Sequence, residues 1–419
     1  MRIAMIGTRG VPARYGGFET AVEEIGKRLV KLGHEVTVYC RNPGQHETEY
    51  LGMRLVNLPA LRTKTTETLS HTAVSSVHAV TRDHPDVAFV FNAANAPLVP
   101  MLRAARIPTA VHLDGLESLR EKWRGMGARY YTWAEGASVR WADAVIADAW
   151  AIAAHVQERY GRDSVYIPYG APIIEPGSDR LSELGLSADG YHLVVARYEP
   201  ENHVLDAVQG YRASSASAPL VVVGDSPYSK WYVESVREAA AGDPRVRLVG
   251  SVYDQELLDQ LYGHCTTYVH GHSVGGTNPS LLRAMGAGAP VLAWDVDFNH
   301  EVTNEHALFW DSPSTLALLL DGLEAEPDPA DLGSPGLADE VAAASRSGRR
   351  HAAKAYRWDD VADDYERLAE RLPVLHAEHR EARARAGRAR SARRRSARAD
   401  RRRADVDRAG ADRAATGRA

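Results

Sequence analysis

The sequence predicts an α/β protein with two doubly wound domains that face each other across a cleft, followed by an arginine-rich carboxyl-terminal tail. Short apolar runs alternate with longer amphipathic segments, a pattern typical of a parallel sheet wrapped by helices. This alternation starts a second time after Pro172. Beyond His379 the composition changes to Arg, Ala, Asp, Ser and Gly, which cannot supply a buried core.

The first domain is predicted over residues 1–172. After its first strand, a helix places Ala21, Val22, Ile25 and Leu29 on one face, and Gly33 ends that helix. The strands of this domain are predicted at 2–6, 35–39, 53–58, 87–91, 109–112, 144–147 and 164–167.

The second domain is predicted over residues 185–350, and two further segments follow it. A helix within 355–373 carries Val361, Tyr365 and Leu368 on one stripe, is expected to end at Pro373 and to pack back on the body. Residues 380–419 are expected to be disordered or to form a solvated helix. The strands of the second domain are predicted at 191–195, 220–223, 246–248, 267–269 and 290–293.

The charge of the chain is divided between an acidic body and a basic tail. The 419 residues include 50 Lys+Arg and 55 Asp+Glu, a formal net charge of −5. Residues 380–419 contain 15 Arg and 5 acids, a charge of +10, which leaves −15 for residues 1–379. We expect the tail either to bind an anionic membrane surface or to be solvated without a partner, and we expect no specific nucleic acid.

Cysteine content and hydropathy point to a cytoplasmic protein, or to one peripheral on the cytosolic face of a membrane. Only Cys40 and Cys265 are present, which excludes a disulfide scaffold and fits a reducing compartment. No apolar run approaches the roughly 18 residues of a membrane span. The amino terminus is typical of a buried strand rather than of a secretory signal.

A glycine-rich loop, residues 7–19, joins the first strand to the first helix. In doubly wound sheets ligands bind at the carboxyl ends of strands, and glycines let backbone amides approach a phosphate or a sugar. The loop lacks the G-x-G-x-x-G spacing of dinucleotide-cofactor sites, and no acid follows the second strand to hold an adenosine ribose. From the loop alone, ligand contact and a structural turn remain equal alternatives.

The second domain offers a site for an anion at residues 274–286. Thr277 or Asn278 is suited to cap a helix that begins at Pro279, and Gly275 and Gly276 precede the cap. Free amides and the positive end of the helix dipole suit a diphosphate. Arg197 follows a buried strand, where its guanidinium is placed to grip phosphate.

Two motifs suggest metal binding at first sight, but we expect no metal. Asp295 and Asp297 form a D-x-D pattern, which we interpret as a solvated loop. His270 and His272 lie near a strand end without an evident third ligand, so we interpret them as cleft lining.

Together these segments resemble the retaining glycosyltransferases of family 4, which have the GT-B fold of two Rossmann-like domains. Within that family the chain most resembles the rhamnosyltransferase-like subgroup of bacterial polysaccharide assembly, and the resemblance spans roughly residues 1–372. The motifs that carry it are Gly7-Thr-Arg-Gly-Val-Pro12, Tyr15-Gly-Gly-Phe-Glu19, His112-Leu-Asp-Gly115, Arg197-Tyr-Glu-Pro-Glu-Asn202 and Gly275-Gly-Thr-Asn-Pro-Ser280.

The resemblance implies an enzyme that moves a hexosyl group, with rhamnosyl as a candidate, from a nucleotide-diphosphate sugar to a glycan or lipid-linked acceptor with retention of anomeric configuration. It implies no cofactor. Two alternatives remain, a nucleotide-sugar epimerase of the same fold and an inactive sugar-nucleotide-binding protein.

The resemblance also implies roles for individual residues. His112 would contact the donor sugar and Arg197 the diphosphate, as the two catalytic candidates. Gly16 and Gly17 would lie under the diphosphate or the transferred sugar, and Gly275, Gly276, Thr277 and Asn278 would complete the donor site. On the acceptor side the candidates are Glu19, Asp114 and Glu117.

Three positions of the donor site depart from the family pattern. Asn202 stands where the family has a lysine, so one phosphate contact is lost or supplied elsewhere. Gly275 and Arg283 stand where the family has two glutamates, of which the second holds the ribose hydroxyls. Because a thymidine nucleotide lacks the 2′-hydroxyl, Arg283 favours a thymidine-diphosphate sugar as donor.

Overall fold

A computed structural model describes residues 1–13, 17–41, 44, 46–61, 66–113, 115, 125–226, 229–325 and 336–416, with side chains to residue 386 and at 388. The chain folds into two parallel-sheet α/β domains, which confirms the predicted fold class. Each strand that the sequence predicts is present, and two short strands, at Glu49–Tyr50 and Leu308–Trp310, were not predicted.

The amino-terminal domain contains an eight-stranded sheet in the order β3-β4-β2-β1-β5-β6-β7-β8. All neighbours pair in parallel except β3 and β4. The strands are β1 (Arg2–Ile6), β2 (Glu35–Cys40), β3 (Glu49–Tyr50), β4 (Met53–Asn57), β5 (Val87–Phe91), β6 (Thr109–Leu113), β7 (Ala144–Ala147) and β8 (Val165–Tyr166). The helices are α1 (Gly17–Lys31), α2 (Glu67–His78), α3 (Val99–Ala104), α4 (Met126–Trp141) and α5 (Trp150–Tyr160).

The carboxyl-terminal domain contains a six-stranded parallel sheet in the order β11-β10-β9-β12-β13-β14. Its strands are β9 (His192–Val195), β10 (Leu220–Val223), β11 (Val246–Gly250), β12 (Thr267–His270), β13 (Val291–Trp294) and β14 (Leu308–Trp310). The helices are α6 (Val204–Ala213), α7 (Lys230–Ala240), α8 (Gln255–Gly263), α9 (Pro279–Ala287), α10 (Asp297–Thr303), α11 (Pro313–Glu324), α12 (Leu337–Ala355) and α13 (Trp358–Thr416).

Apolar side chains pack on both faces of each sheet, as β-branched strands flanked by amphipathic helices require. The largest core cluster continues from one domain into the other, because Tyr169, Tyr191 and Trp358 belong to it together with core residues of both sheets. The two domains therefore share a packed contact below the cleft.

The last helix, α13, corrects the expectation that the helix ends at Pro373. It continues through Pro373 to Thr416. A proline inside a helix removes one backbone hydrogen bond, but the next turns are held on the first domain. There the Nδ1 atoms of His376 and His379 lie 3.0 and 3.4 Å from the carboxylate of Asp143. Residues 380–386 beyond this anchor are exposed.

Within the described ranges, no helix is both long and apolar enough to cross a membrane.

Candidate functional site

The candidate site is a cavity of about 560 Å³ between the two domains, at the carboxyl ends of both sheets. Parallel sheets place loops of several strands at that edge, which is why both domains contribute to one cavity. The first domain supplies Arg9, Glu19 and Asp148, and the second supplies Arg197 and the loop 274–280.

The loop before α9 has the geometry of an anion site. Asn278 is the cap residue, and its Oδ1 accepts a hydrogen bond from the Ser280 amide at 2.9 Å. Pro279 occupies the first turn, where its missing N–H leaves no donor unsatisfied. The positive end of the α9 dipole therefore points at the cavity that Gly275, Gly276 and Asn278 line.

Thr277 has a different function from the capping role that the sequence allowed. Its hydroxyl donates a hydrogen bond across the domain boundary to the carbonyl of Asp148. The loop that opens α9 is thus fixed to the end of β7 in the other domain.

Glycines allow this closure because no Cβ separates the two domains. A Cβ at Gly17 would stand 2.9 Å from Cγ of Pro279, and one at Gly276 would stand 2.3 Å from Oδ1 of Asp148. Contacts below 3.0 Å require one of the groups to move. Gly17 therefore lets the first turns of α1 and α9 approach each other across the cleft, and Gly276 lets the loop before α9 approach the end of β7.

Two arginines of the second domain line the cavity, and they differ in whether a carboxylate pairs with them. Arg197 is exposed to the cavity and forms no ion pair with any carboxylate that the structure describes. Arg283 is held by Asp259, with Nε at 2.6 Å and Nη2 at 2.5 Å from Oδ1. Arg197 is accordingly the arginine whose charge is available to an anionic ligand.

Asn202 does not line the cavity, although the sequence placed it in the donor site. It is 2% exposed, and its Nδ2 donates a hydrogen bond to the carbonyl of Arg197 at 2.8 Å. A short side chain on the 3₁₀ turn Pro200–Asn202 reaches back to the preceding strand end instead of forward to the cleft. Its contact holds the backbone of Arg197.

His112 lies behind the cavity wall and does not reach the cavity. Its ring is 1% exposed and packs edge-to-face against Phe18 at 5.2 Å between ring centroids. The hydroxyl of Tyr365 on α13 lies 3.0 Å from Nδ1, and Nε2 has no hydrogen-bond partner among the described residues. Burial lowers the pKa of His112 to about 3, so the ring is neutral at ordinary pH.

The acceptor-side candidates are only partly described. Glu19 lines the cavity, and its carboxylate accepts a hydrogen bond from the Arg9 amide at 3.0 Å. Burial raises the pKa of Glu19 above its ordinary value, against the lowering effect of that hydrogen bond. The other two acceptor-side candidates, Asp114 and Glu117, lie outside the described residues, and so does Gly16 of the donor site.

The sequence reasoning missed Asp148, which lines the cavity and is 1% exposed. Its carboxyl group faces Gly276, as the close approach of the two residues shows. The rule that pointed to Arg197 would also have identified Asp148, because Asp148 is the first polar residue after the buried parallel strand β7.

The two motifs considered for metal binding have other contacts. Asp295 lies 2.8 Å from Nε2 of His300, and Asp297 begins α10. The ring of His270 is buried and stacks on His272, which lines the cavity. The described part of the chain contains no group of three potential ligands that could hold a metal ion.

Comparison with known proteins assigns both domains to glycosyltransferase families. Residues 16–170 match the Glycosyl transferase 4-like domain, and residues 191–323 match the Glycosyl transferases group 1 domain. O-antigen chain mannosyltransferase B of Escherichia coli is 25% identical over 135 residues, which are 31% of this chain and 35% of that protein. The match thus spans about a third of the curated relative's length.

Solved structures share the fold over most of the chain. Sucrose-phosphate synthase from Thermosynechococcus elongatus has a TM-score of 0.73 at 20% identity, covering 88% of this chain and 98% of that one. Anabaena Alr3699/HepE in complex with UDP-glucose has a TM-score of 0.69 at 16% identity, covering 88% of this chain and 100% of that one. The chain therefore has the GT-B fold, and it contains a Glycosyl transferase 4-like domain followed by a Glycosyl transferases group 1 domain.

Proposed function

We propose that this protein transfers a hexosyl group from a nucleotide-diphosphate sugar to a glycan or lipid-linked acceptor. The observation that supports this best is the composition of the cavity walls. One wall presents a helix amino terminus and the available guanidinium of Arg197, whereas the other presents the carboxyl groups of Glu19 and Asp148. A ligand with an anionic part and a hydroxyl-rich part fits both walls at once.

The donor diphosphate is assigned to the second domain. Backbone amides at the start of α9 and the dipole of that helix stabilise an anion, and an arginine adds charge-assisted hydrogen bonds. Arg197 and the loop 275–278 line the same cavity, so both are placed to contact one diphosphate.

The transferred sugar is assigned to the space next to Asp148. Asp148 lies against Gly276, which belongs to the loop assigned to the diphosphate. We therefore expect Asp148 to contact the sugar that is attached to that diphosphate. Carboxylate oxygens accept hydrogen bonds from sugar hydroxyls. Asp148 thereby supplies a carboxylate near the place where Gly275 replaces the family's first glutamate, and Glu19 is assigned to the acceptor.

In the proposed reaction the bond from the anomeric carbon to the phosphate oxygen breaks, and a bond to the acceptor oxygen forms on the same face. The departing phosphate oxygen takes the acceptor proton, so no protein nucleophile is needed. Arg197 and the α9 amides stabilise the charge that develops on the leaving diphosphate. We assign no metal or other cofactor to this reaction, and His112, buried and neutral, takes no proton in it.

Sequence departures and relatives guide the choice of donor. The curated relative is named for mannosyl transfer, and one structural neighbour holds UDP-glucose, which supports a hexose on a nucleotide. Arg283, paired with Asp259, leaves no carboxylate at the position that holds the ribose hydroxyls in the family. We infer a thymidine-diphosphate sugar, with rhamnose as the first candidate. Calorimetry should show tighter binding of dTDP than of UDP, and clearly tighter UDP binding contradicts this choice.

The function is tested by a donor screen followed by transfer assays. Thermal shift with a panel of nucleotide diphosphates selects the donor, and product analysis with and without acceptor separates transfer from epimerisation. NMR of the new glycosidic bond reports retention. Binding without turnover of any donor would instead indicate an inactive sugar-nucleotide-binding protein.

Arg197→Ala tests the site itself. We expect turnover to fall by two or more orders of magnitude, since removing one donor to a developing oxyanion costs roughly 10²–10³-fold. Arg237→Ala is the matched control because Arg237 is exposed on α7, outside the cavity lining. Equal rates for the two variants would remove Arg197 from the mechanism.

A further inference from the structure

We propose that one face of the first domain docks on a membrane with anionic headgroups. This surface, the α4–α13 face, consists of exposed side chains of two helices, namely Met126, Arg129, Trp133 and Arg140 of α4 and Arg380, Arg383, Arg385 and Arg388 of α13. The inference goes beyond glycosyl transfer, and vesicle binding can be measured without donor or acceptor.

The exposed side of α4 combines apolar and basic side chains. Met126 is 86% exposed and Trp133 is 49% exposed, and Arg129 and Arg140 are exposed beside them. At 3.6 residues per turn these four positions fall within about 60° of arc on the helix. The opposite side of the helix is buried in the domain, at Ala134, Glu135, Ser138 and Val139.

A row of aromatic rings runs along the same helix. Trp133 lies 5.8 Å from Tyr130 and 5.7 Å from Trp141, measured between ring centroids. Tyr130 is fixed by a hydrogen bond from its hydroxyl to the carbonyl of Ala94 at 2.7 Å. Tryptophan and tyrosine rings are enriched at the membrane–water interface, where an apolar ring and a polar group are both accommodated.

The basic helix leaves the body at the end of this aromatic row. Arg383 donates a hydrogen bond to the carbonyl of Arg140 at 3.2 Å, one turn after His379 contacts Asp143. The charge of +10 in residues 380–419 therefore begins next to the carboxyl end of α4 rather than at the end of a free linker.

The charge distribution selects an orientation on an anionic surface. Residues 1–379 have a charge of −15, so an anionic bilayer repels most of the body and attracts the region where the arginines concentrate. The exposed side chains of Met126 and Trp133 can bury apolar surface at the boundary between headgroups and acyl chains, which strengthens binding. A nucleic acid backbone offers no such apolar layer. These side chains favour a lipid surface over nucleic acid.

Docking of this face would also bring the cavity close to the membrane. Tyr131, on α4, lines the cavity, and at 3.6 residues per turn it lies on the side of that helix opposite the α4–α13 face. The cavity wall at Tyr131 would therefore lie about one helix diameter, roughly 10–12 Å, from the docked face. This consequence rests on the proposed function, since it matters only if the acceptor is lipid-linked.

The test is co-sedimentation of the full chain with vesicles of phosphatidylcholine alone or mixed with phosphatidylglycerol. We expect binding to the anionic vesicles only, weakened by salt. One kcal/mol per basic residue near the surface corresponds to about fivefold in affinity. The triple variant Arg380→Gln, Arg385→Gln, Arg388→Gln should therefore bind roughly a hundredfold more weakly.

The matched control makes the same charge change on the second domain. Arg237→Gln, Arg346→Gln and Arg350→Gln replace exposed arginines of α7 and α12 and should bind like the unmodified chain. Equal losses in the two triple variants, or equal binding of the full chain to neutral and anionic vesicles, would overturn the proposal.

A second variant tests the aromatic part of the face. Trp133→Ser should weaken binding several-fold even at high salt, because it removes an apolar contact rather than a charge. An unchanged affinity of Trp133→Ser, or displacement of the chain from vesicles by RNA at equal phosphate concentration, would contradict a lipid-binding face. Transfer to a soluble acceptor, assayed in parallel, reports on the proposed function separately.

Discussion

Replacing Gly276 by alanine should slow glycosyl transfer about a hundredfold without unfolding the protein. A Cβ at this position would stand 2.3 Å from Oδ1 and 2.7 Å from Cγ of Asp148, whereas ordinary contact begins at 3.4 Å. Because the contacted atoms belong to the buried Asp148 side chain, either this carboxyl group or the loop before α9 must move by about 1 Å. A displacement of about 1 Å in a positioned active site costs roughly 10²-fold in rate.

The assay is steady-state transfer with saturating donor, combined with thermal unfolding. Because Gly276 lies in a loop at the domain boundary and outside either apolar core, the melting temperature should change little. Gly336→Ala is the matched control, since a Cβ there meets nothing within 4 Å. It adds the same methyl group and should leave the rate unchanged, with a loss of stability of at most about 1 kcal/mol because Gly336 caps α12.

A double variant separates the steric effect from other effects of the substitution. Asp148→Ala removes the carboxyl group that the new methyl group meets, so Gly276→Ala should cost much less rate in that background. Undiminished turnover of Gly276→Ala, or strictly additive losses in the pair, would refute the reasoning that this glycine is required for closure.

Three further predictions concern single side chains. Asp148→Asn should lower turnover by one to two orders of magnitude with little change in dTDP affinity by calorimetry, because the carboxylate is assigned to the sugar and not to the nucleotide; a loss confined to dTDP binding would contradict this. Burial lowers the pKa of His112 from 6.5 in the unfolded chain to about 3 in the folded one. Between these two values only the unfolded chain takes up the proton, so the folded state loses stability as the pH falls from 6.5 towards about 3. Between pH 7.5 and pH 5.5 the free energy of unfolding, measured with urea, should therefore fall by about 1 kcal/mol less for His112→Asn than for the unmodified chain, and identical pH slopes would disprove it. His376→Ala should destabilise the chain by about 1–3 kcal/mol, because Asp143, 2% exposed, loses a buried hydrogen-bond partner, whereas His379→Ala should cost less because His379 is only partly buried.

The strands were predictable because each is a short buried run between amphipathic helices. A very short strand carries no usable pattern, as at Leu308–Trp310, which has only three residues. The start of α9 was also predictable, since glycines, a capping residue and a proline stand in order within five positions. These signals are local, and local backbone geometry follows from them.

The positions of His112, Asn202 and the end of α13 were not predictable, because each depends on residues far away in the chain. His112 is enclosed by Phe18 and by Tyr365, which is 253 positions away. The continuation of α13 past Pro373 depends on Asp143, which is 233 positions from His376. The sequence motif correctly predicted that His112 lies near the end of a strand. It carried no information about α13, the helix that covers His112.

These long-range contacts suggest why α13 crosses back onto the first domain. It is the element that seals His112, and its next turns are anchored through Asp143 at the opposite end of the same sheet from the cleft. The cavity itself is closed by shorter contacts, namely Thr277 on the carbonyl of Asp148 and Gly276 against its carboxyl group. Opening the cleft for substrate exchange therefore requires the loop contacts at Asp148 and the hydrogen bonds from the Trp150 amide to the Glu301 carboxylate to break, while α13 keeps the two domains joined. On this view the glycines of the donor loop have two functions, because the amides that face the diphosphate and the missing side chains that permit closure belong to the same residues.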